Sequence, residues 1–335
     1  MKILSSNKVA VIFTGGTISM KIDPRIHAAI PALSSEEIMA MVTNIEKFAE
    51  IENINFSNLP SPHITPEMMM DLTKLVKETI ERDDITGVVV THGTDTLEET
   101  AYILDLTIKS KKPIVVVGAM RNSSELGYDG SSNLAAAICT AISEKSKNKG
   151  VLVVMNNEVN AASEITKINT LTLDTFKSPE FGPLGIVDND EVIFYRDIVS
   201  RDFIDTETIE TKVALLKSGP GMNSDIIEFC IESGYKGIVI EALGRGNLPP
   251  EMIYGIKKSI EKNIPIVLVS RCPTGRVLDT YGYEGGGKHL RKIGVIFAGN
   301  LPGQKARIKL MLALSISNNM DTIRNLFEKD EYNSL

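Results

Sequence analysis

Short runs of apolar, mostly β-branched residues alternate along the chain with windows of amphipathic helical periodicity. Runs that are apolar nearly throughout are typical of strands buried on both faces, as in parallel sheets covered by helices. The alternation therefore predicts strand–helix–strand units and an α/β fold with a mainly parallel, doubly wound sheet. The predicted strands are Val9–Phe13, Gly87–Thr91, Ile114–Gly118, Val151–Met155, Val213–Lys217, Gly237–Ile240, Ile264–Ser270 and Val295–Phe297.

Helix-start signals stand between these runs. A capping box, in which a hydroxyl residue is followed three positions later by a glutamate, is present at Ser34 and again at Thr96. Thr65 is directly followed by a proline, which favours the first position of a helix. Later helices are predicted over residues 250–263, 303–316 and 320–327.

The regular pattern lapses in two places, and this indicates the domain organisation. Residues 156–189 are rich in Asn, Thr and Asp and are long for a structureless connection, so they are either functional or contain small irregular strands. Charged and apolar residues alternate over residues 190–211, and this pattern predicts a hairpin that passes into a linker. We expect a larger N-terminal α/β domain over residues 1–190, a linker over 191–211 and a smaller C-terminal α/β domain over 212–335.

Composition excludes several classes of partner. The net charge of −7 and the pI of about 5.3 oppose a nucleic-acid surface, which requires a basic stripe. No apolar run approaches the roughly 18 residues of a membrane span, and no signal segment precedes the first predicted strand. The three scattered cysteines are typical of a reducing compartment, and the histidines show no metal-ligand spacing. We expect a cytoplasmic protein without a metal site.

Two segments that follow predicted strands carry hydroxyl groups. They are Thr14–Ser19 (TGGTIS) and His92–Thr96 (HGTDT), and ligands of open α/β sheets bind at strand ends of this kind. The first segment lacks the common nucleotide-loop patterns. Three interpretations of this segment are open. It binds a phosphate, although the sequence evidence for this is weak; it is a turn in which Thr17 caps a helix; or Thr17 is a nucleophile beside backbone amides that bind an oxyanion. In the second, Asp95 either caps the next helix or binds a lysine or a substrate ammonium, and His92 is expected to be structural.

Together these segments resemble the two signature turns of the bacterial-type L-asparaginase/glutaminase family, the threonine amidohydrolases, and in particular its cytoplasmic L-asparaginases. The resemblance extends over almost the whole chain. It implies a two-domain enzyme that hydrolyses the side-chain amide of L-asparagine to L-aspartate and ammonia through an acyl-threonine, without a cofactor. The further landmarks, in the family's order, are Ala119–Arg121, Asp129–Gly130 with Asn133, Thr175–Pro179, Gly182–Gly185, Pro273–Gly275 and Gln304–Arg307.

The resemblance also implies roles for single residues. Thr17 resembles the acylated nucleophile. Thr94, Asp95 and Lys167 resemble the second catalytic threonine and its charge-relay partners, in which the lysine takes a proton through the threonine while the carboxylate orients the resulting ammonium. Outside this context, Lys167 has the sequence surroundings of an ordinary surface lysine.

Substrate binding is implied at Ser61, Asp95 and Glu284. Ser61 resembles the serine that contacts the substrate α-carboxylate, and Glu284 resembles the glutamate that a neighbouring subunit contributes to the substrate ammonium. The resemblance therefore implies a homo-oligomer whose isolated subunit lacks a complete site, with Asn247 as a further candidate. Three glycines follow Glu284 and indicate a loop that flexes or packs closely against another backbone.

Two departures and several alternatives remain. Residues 20–33 contain no tyrosine, which the family's best-studied members carry in a mobile loop, so Tyr281 or Tyr283 either substitutes for it or only packs. Pro62 offers no N–H donor beside the substrate serine, so substrate contacts at this position are expected to differ from those of the family.

Four alternative functions remain open. They are a glutaminase-asparaginase, the amidase subunit of a tRNA-dependent amidotransferase (which usually has an extra N-terminal domain), a non-catalytic small-ligand binder, and a nucleotide-binding protein.

Overall fold

The computed structural model describes residues 7–328, in which the chain divides into two compact units between Phe203 and Ile204. Each unit contains a sheet with helices packed against it. The predicted α/β class, with a larger N-terminal and a smaller C-terminal part, is therefore confirmed. Among the described residues we find no helix with the length and apolar character that a membrane crossing requires.

The first unit is built on β-branched runs that the sheet buries completely. Val9–Ile12 and Val88–Val90 have no exposed surface, because neighbouring strands and helices cover them. Its strands are β1 (Lys8–Gly15), β2 (Met20–Asp23), β3 (Ala28–Pro31), β4 (Glu50–Leu59), β5 (Gly87–Thr91), β6 (Ile114–Val117), β7 (Val151–Met155), β8 (Glu158–Ala161), β9 (Thr166–Lys167), β10 (Phe176–Lys177), β11 (Gly185–Asp188) and β12 (Glu191–Phe194). Its α-helices are α1 (Ser35–Ala40), α2 (Pro66–Glu81), α3 (Leu97–Thr107) and α4 (Gly130–Ile142).

Two of the predicted helix starts have the expected caps. Ser34 and Glu37 form a complete capping box before α1. Thr65 Oγ1 accepts the backbone N–H of Met68 before α2.

Eight of these strands form one sheet, in the order β12-β11-β8-β7-β6-β5-β1-β4. The five strands from β4 to β7 are parallel, as predicted, whereas β8, β11 and β12 add antiparallel strands at the opposite edge. The strand order reverses between β1 and β5, because the chain first adds β4 on one side and later adds β5 on the other. Such a reversal leaves a crevice at the carboxyl ends of the strands, where ligands of open α/β sheets bind.

Strand β4 lies at the edge of this sheet and was not among the predicted strands. Its polar residues alternate with apolar ones, in contrast to the uninterrupted apolar runs of its neighbours. The pairing with β1 is irregular at its end: Phe13 lies opposite Asn55, but Gly15 lies opposite Leu59. An advance of two residues along β1 therefore matches an advance of four along β4, and this brings the segment with Ser61 alongside the first signature turn.

The Asn-, Thr- and Asp-rich region 156–189 contains small irregular strands, which was one of the two alternatives predicted for it. Strands β9 and β10 form a separate two-stranded sheet, and β11 forms a hairpin with β12. Asn189 and Asp190 connect that hairpin with φ of 47° and 61°, a conformation that these residue types tolerate. Residues 191–194 form the second strand of this hairpin, as expected from the hairpin predicted from residue 190 onward, and the bounds of the linker predicted over 191–211 stay a prediction.

The second unit has a smaller sheet of parallel strands in the order β13-β14-β15-β16, as counted over its described residues. Helix α8 packs against three of these strands. The strands are β13 (Val213–Lys217), β14 (Gly237–Ala242), β15 (Ile266–Ser270) and β16 (Ile296–Phe297). The α-helices are α5 (Asp225–Glu232), α6 (Ile253–Glu261), α7 (Gly287–Lys292), α8 (Gly303–Ile316) and α9 (Met320–Glu328).

Candidate active site

The two signature turns follow neighbouring strands at the point where the strand order reverses. Strands β1 and β5 are parallel and in register, with Phe13 opposite Thr91. Both strands end at the same edge of the sheet, so the segments beginning at Thr14 and His92 emerge side by side. This is the crevice at which the topology favours ligand binding.

The turns contact each other through their backbones. Gly16 has φ 80° and ψ −174°, a conformation that is essentially restricted to glycine. A Cβ atom on Gly16 would lie 2.2 Å from the Cα of Gly93, and a Cβ on Gly93 would lie 2.8 Å from Ser61 Oγ. The residues that follow these two glycines, Thr17 and Thr94, are therefore attached to touching stretches of backbone.

Hydrogen bonds hold the first turn in this conformation. Thr14 Oγ1 donates to the carbonyl of Thr91 at 2.8 Å, which ties the end of β1 to β5. Ser19 Oγ lies 2.9 Å from the carbonyl oxygen of Gly16. Tyr128 donates its phenolic O–H to the carbonyl of Ile18 at 2.9 Å, and burial raises its pKa. Thr17 begins the single 3₁₀ turn between these contacts and is half-buried.

Lys167 contacts the second turn with its amine. Its Nζ donates to Thr94 Oγ1 at 2.9 Å and to Asp95 Oδ1 at 2.8 Å. The Lys167 side chain is 16% exposed, whereas that of Asp95 is 63% exposed and Thr94 is buried. The structure thus brings together a hydroxyl, an amine and a carboxylate from segments more than 70 residues apart in sequence. In its unprotonated form, such an amine can accept a proton from the hydroxyl.

His92 is buried and takes no part in this cluster. Its Nδ1 lies 2.8 Å from the carbonyl oxygen of Gly93, and its Nε2 lies 2.8 Å from Thr100 Oγ1. Because a carbonyl can only accept, Nδ1 carries the proton and Nε2 accepts from the hydroxyl. Burial lowers the pKa of His92 to about 4, so the ring is neutral at pH 7 and braces the turn.

The second predicted capping box is wrong. Thr96 makes no capping hydrogen bond at the start of α3. Its Oγ1 instead donates to the carbonyl of Ser61 at 3.0 Å. A long-range contact thus takes the hydroxyl that local sequence assigns to the helix, and it fixes Ser61, which is 3% exposed, against the second turn.

Comparisons with known proteins decide the family. Residues 8–200 match the family described as asparaginase, N-terminal, and residues 212–327 match the glutaminase/asparaginase C-terminal domain. The chain belongs to the asparaginase family. The family resemblance predicted from the sequence is therefore confirmed.

Similar proteins cover nearly the whole of this asparaginase-family chain. It is 35% identical over 310 residues to an L-asparaginase of Bacillus licheniformis, covering 92% of this chain and 96% of that protein. The crystal structure of a probable cytoplasmic L-asparaginase from Campylobacter jejuni is similar with a TM-score of 0.87 at 33% identity, covering 96% and 99% of the two chains. One component of the glutamyl-tRNA(Gln) amidotransferase of Pyrococcus abyssi is 34% identical over 333 residues, which cover 95% of this chain and 74% of that protein.

The remaining predicted residues of this family member lie in its second unit. Glu284 is exposed and directly precedes the three glycines. A Cβ on Gly285 would lie 2.1 Å from the carbonyl oxygen of Leu248, and the N–H of Leu248 donates to the carbonyl of Gly285. The glycines are therefore required for close backbone packing. The rings of Tyr281 and Tyr283 lie 5.7 Å apart and are partly exposed.

Sequence reasoning missed two residues of the first unit. Tyr128 reaches the first turn from the segment after β6, and only the tertiary fold reveals this contact. Glu98 is buried near the start of α3, where an acidic residue also fits the ordinary preference of a helix N-terminus. The available signal was its position four residues after Thr94 on the helix that follows the signature turn. In the described part of the chain, no three His, Cys, Asp or Glu residues are grouped to hold a metal ion.

Proposed function

We propose that the chain hydrolyses the side-chain amide of L-asparagine to L-aspartate and ammonia, with Thr17 as the nucleophile. The main support for this proposal is the contact between Lys167 Nζ and Thr94 Oγ1 at 2.9 Å. Thr94 lies on the second signature turn, whose Gly93 backbone contacts the backbone of Gly16, the residue before Thr17. A threonine hydroxyl needs a base to become an effective nucleophile. The Thr94–Lys167 pair supplies that base.

In the proposed first step, Thr17 Oγ bonds to the side-chain carbonyl carbon and its proton passes to the Thr94–Lys167 pair. The carbon–nitrogen bond then breaks, and the nitrogen takes a proton and leaves as ammonia. Backbone N–H groups near Gly16 and Gly93 stabilise the oxyanion, because donors fixed in advance lower the cost of charge development. Water next adds to the acyl-threonine ester, whose carbon–oxygen bond breaks to release aspartate and restore the hydroxyl.

The proposed substrate carries both an α-carboxylate and an α-ammonium group. Ser61 contacts the carboxylate in this proposal, since it is buried against Gly93. Asp95 binds the ammonium, because its side chain stays largely exposed while it also accepts from Lys167. Pro62 offers no N–H beside Ser61, and this difference bears on the preference between asparagine and glutamine.

Ammonia release from L-asparagine, L-glutamine and D-asparagine tests the proposal. Wild-type protein is expected to prefer L-asparagine, and Thr17→Ala is expected to abolish turnover with the fold intact. Thr43→Ala serves as the control, because Thr43 is an exposed threonine of the same unit. Absence of ammonia from wild type at millimolar L-asparagine would refute the proposed activity, and equal kcat/KM for L-glutamine would favour the glutaminase-asparaginase alternative.

We further propose that the enzyme self-associates and that Glu284 of one subunit completes the site of its neighbour. The family resemblance supports this, together with the exposed position of Glu284 before a closely packed glycine turn. Alone, the Thr17→Ala protein is expected to be inactive and the Glu284→Ala protein to have a raised KM. Dissociated and reassembled as a mixture, they are expected to regain activity, since some sites then combine an intact Thr17 with an intact Glu284. A mixture no more active than its components would exclude a shared site.

We propose a cytoplasmic location. The similarity to the Campylobacter jejuni protein, which is described as a probable cytoplasmic L-asparaginase, supports it. Fractionation of the native host tests it, with the periplasmic or extracellular fraction as the alternative result.

A further inference from the structure

Lys167 is carried by a small element outside the main sheet. Strand β9 consists of Thr166 and Lys167, and within the described residues it pairs only with β10. The connection on its C-terminal side is exposed at residues 168–172. A two-residue strand gives little restraint by itself, so the position of the Lys167 amine depends on what anchors this segment.

Glu98 provides such an anchor. It is the second residue of α3 and is 4% exposed. Its Oε1 accepts a hydrogen bond from Thr166 Oγ1 at 3.0 Å and another from the backbone N–H of Lys167 at 3.2 Å. One buried carboxylate oxygen therefore contacts both residues of β9.

The same helix start also binds the other end of Lys167. Thr94 and Asp95 lie four and three residues before Glu98 and accept from Lys167 Nζ. The lysine is thus held at its backbone by Glu98 and at its amine by the turn that leads into α3. Both attachment points belong to the short continuous segment from Thr94 to Glu98, which sets the distance between the amine and Thr94.

We propose that Glu98 is a positioning residue that holds Lys167 in reach of Thr94 and Asp95. Its consequence for turnover rests on the proposed function, whereas its effect on the lysine does not. An ionised carboxylate suits this role because it only accepts and makes stronger hydrogen bonds to N–H and O–H donors than a neutral amide does. The N-terminal end of α3 favours its negative charge, and the two donors offset the cost of its burial.

The first test measures the reactivity of the Lys167 amine without reference to turnover. Trace acetic anhydride acetylates exposed amines, and peptide mass spectrometry gives the Lys167 rate relative to exposed Lys257 of α6. Glu98→Ala is expected to raise the Lys167 rate several-fold, because the 16%-exposed side chain loses its backbone anchor. Thr166→Val removes the hydrogen bond from Thr166 Oγ1 to Glu98 but keeps the one from the Lys167 N–H, so it is expected to raise the Lys167 acetylation rate less.

Asp105→Asn is the matched control. Asp105 is another buried carboxylate of α3; it accepts the backbone N–H of Val151 at 2.8 Å and pairs with Arg201. It has the same chemistry but lies about two turns further along the helix than Glu98. Its substitution is expected to lower the unfolding temperature while leaving the relative acetylation rate of Lys167 unchanged.

The second test is steady-state kinetics with L-asparagine. Glu98→Ala is expected to lower kcat on the order of 10²-fold, as a displacement of about 1 Å does for a catalytic group, with a much smaller change in KM. Glu98→Gln is expected to recover part of that loss, because an amide oxygen accepts the same two bonds less strongly. Asp105→Asn is expected to keep the wild-type kcat.

The outcomes separate this inference from the proposed function. Unchanged Lys167 acetylation in Glu98→Ala, or an equal rise in Asp105→Asn, would overturn the positioning role. A wild-type protein that releases no ammonia, but whose Lys167 acetylation still responds to Glu98 substitution, would overturn the proposed function and support the inference. If Glu98→Ala does not fold, Glu98→Gln and Thr166→Val give the same comparison with smaller perturbations.

Discussion

Gly16→Ala is the substitution that most directly tests the contact between the two signature turns. The added methyl group meets two separate obstacles. The φ of 80° with ψ of −174° is unfavourable for any residue with a side chain, by about 1–3 kcal/mol. The new Cβ would also lie 2.2 Å from Gly93 Cα and 2.3 Å from its nitrogen, atoms of a backbone that cannot rotate away.

The required displacement follows from those distances. Ordinary van der Waals contact begins near 3.4 Å, so the two backbones have to separate by roughly 1.2 Å at this point. A misplacement of about 1 Å between catalytic groups costs on the order of 10²-fold in rate. We therefore expect kcat/KM for L-asparagine to fall by about 10²-fold or more.

Gly182→Ala is the matched control, because it introduces backbone strain without a clash. Gly182 has φ 70°, and a Cβ there would have no atom within 4 Å. Left-handed strain of about 1–2 kcal/mol lowers the Tm of a unit of this size by roughly 2–8 °C. We expect that loss in Gly182→Ala, with normal turnover, and a larger Tm loss together with the rate loss in Gly16→Ala.

The assay is ammonia release by both variants at several L-asparagine concentrations, with the Tm measured in parallel. If a folded Gly16→Ala protein turns over within a few-fold of Gly182→Ala, the backbone contact between the turns is not needed for activity. The reasoning that joins Thr17 to Thr94 through this contact would then be refuted.

Two further predictions concern Lys167 and His92. Lys167→Met is expected to lower kcat by about 10²- to 10⁴-fold, which is the usual loss when acid–base assistance is removed. Lys149→Met is the control, because it removes a similarly buried ion-paired lysine, and it is expected to leave kcat unchanged. A normal kcat in Lys167→Met would show that this lysine takes no part in the mechanism. The pKa of His92 is about 4 in the folded chain against an ordinary 6.5, so the unfolded chain binds the proton more readily between these values. The free energy of unfolding, measured with urea, is therefore expected to decrease by on the order of 3 kcal/mol as the pH falls from about 6.5 to about 4. His92→Asn is expected to lack this pH-dependent decrease. An equal pH dependence of the unfolding free energy in both proteins would contradict the prediction.

Much of the sheet was predictable because its central strands consist of uninterrupted apolar runs. Every residue of strands such as β5 and β6 is buried, so these strands carry an apolar pattern that local sequence reveals. Strand β4 escaped prediction because it lies at the edge, where polar residues are allowed. For the Asn- and Thr-rich region 156–189, the sequence left open whether the segment is functional or forms small strands, and it gave no indication of which residues pair there.

The candidate site was less accessible to sequence reasoning because its contacts are long-range. The resemblance to the asparaginase family brought Lys167 into consideration, although nothing local distinguishes it from other lysines. Thr96 was assigned to a helix cap because only the tertiary fold reveals that Ser61 lies within its reach. Glu98 and Tyr128 were missed for the same reason, since each acts on a segment distant in sequence.

The extra length of β4 opposite the end of β1 has a consequence for insertions and deletions. The chain advances from Asn55 to Leu59 on β4 while β1 advances only from Phe13 to Gly15, and β4 lies at the sheet edge. Removing Ser57 and Asn58 would restore even pairing and spare the interior. It would also delete two contacts of the first turn, since Ser57 Oγ donates to the carbonyl of Thr14 at 2.7 Å and Asn58 Oδ1 accepts from Ser19 Oγ at 2.9 Å. Length changes here are therefore expected to yield inactive proteins that fold normally, so selection for solubility alone would not remove them.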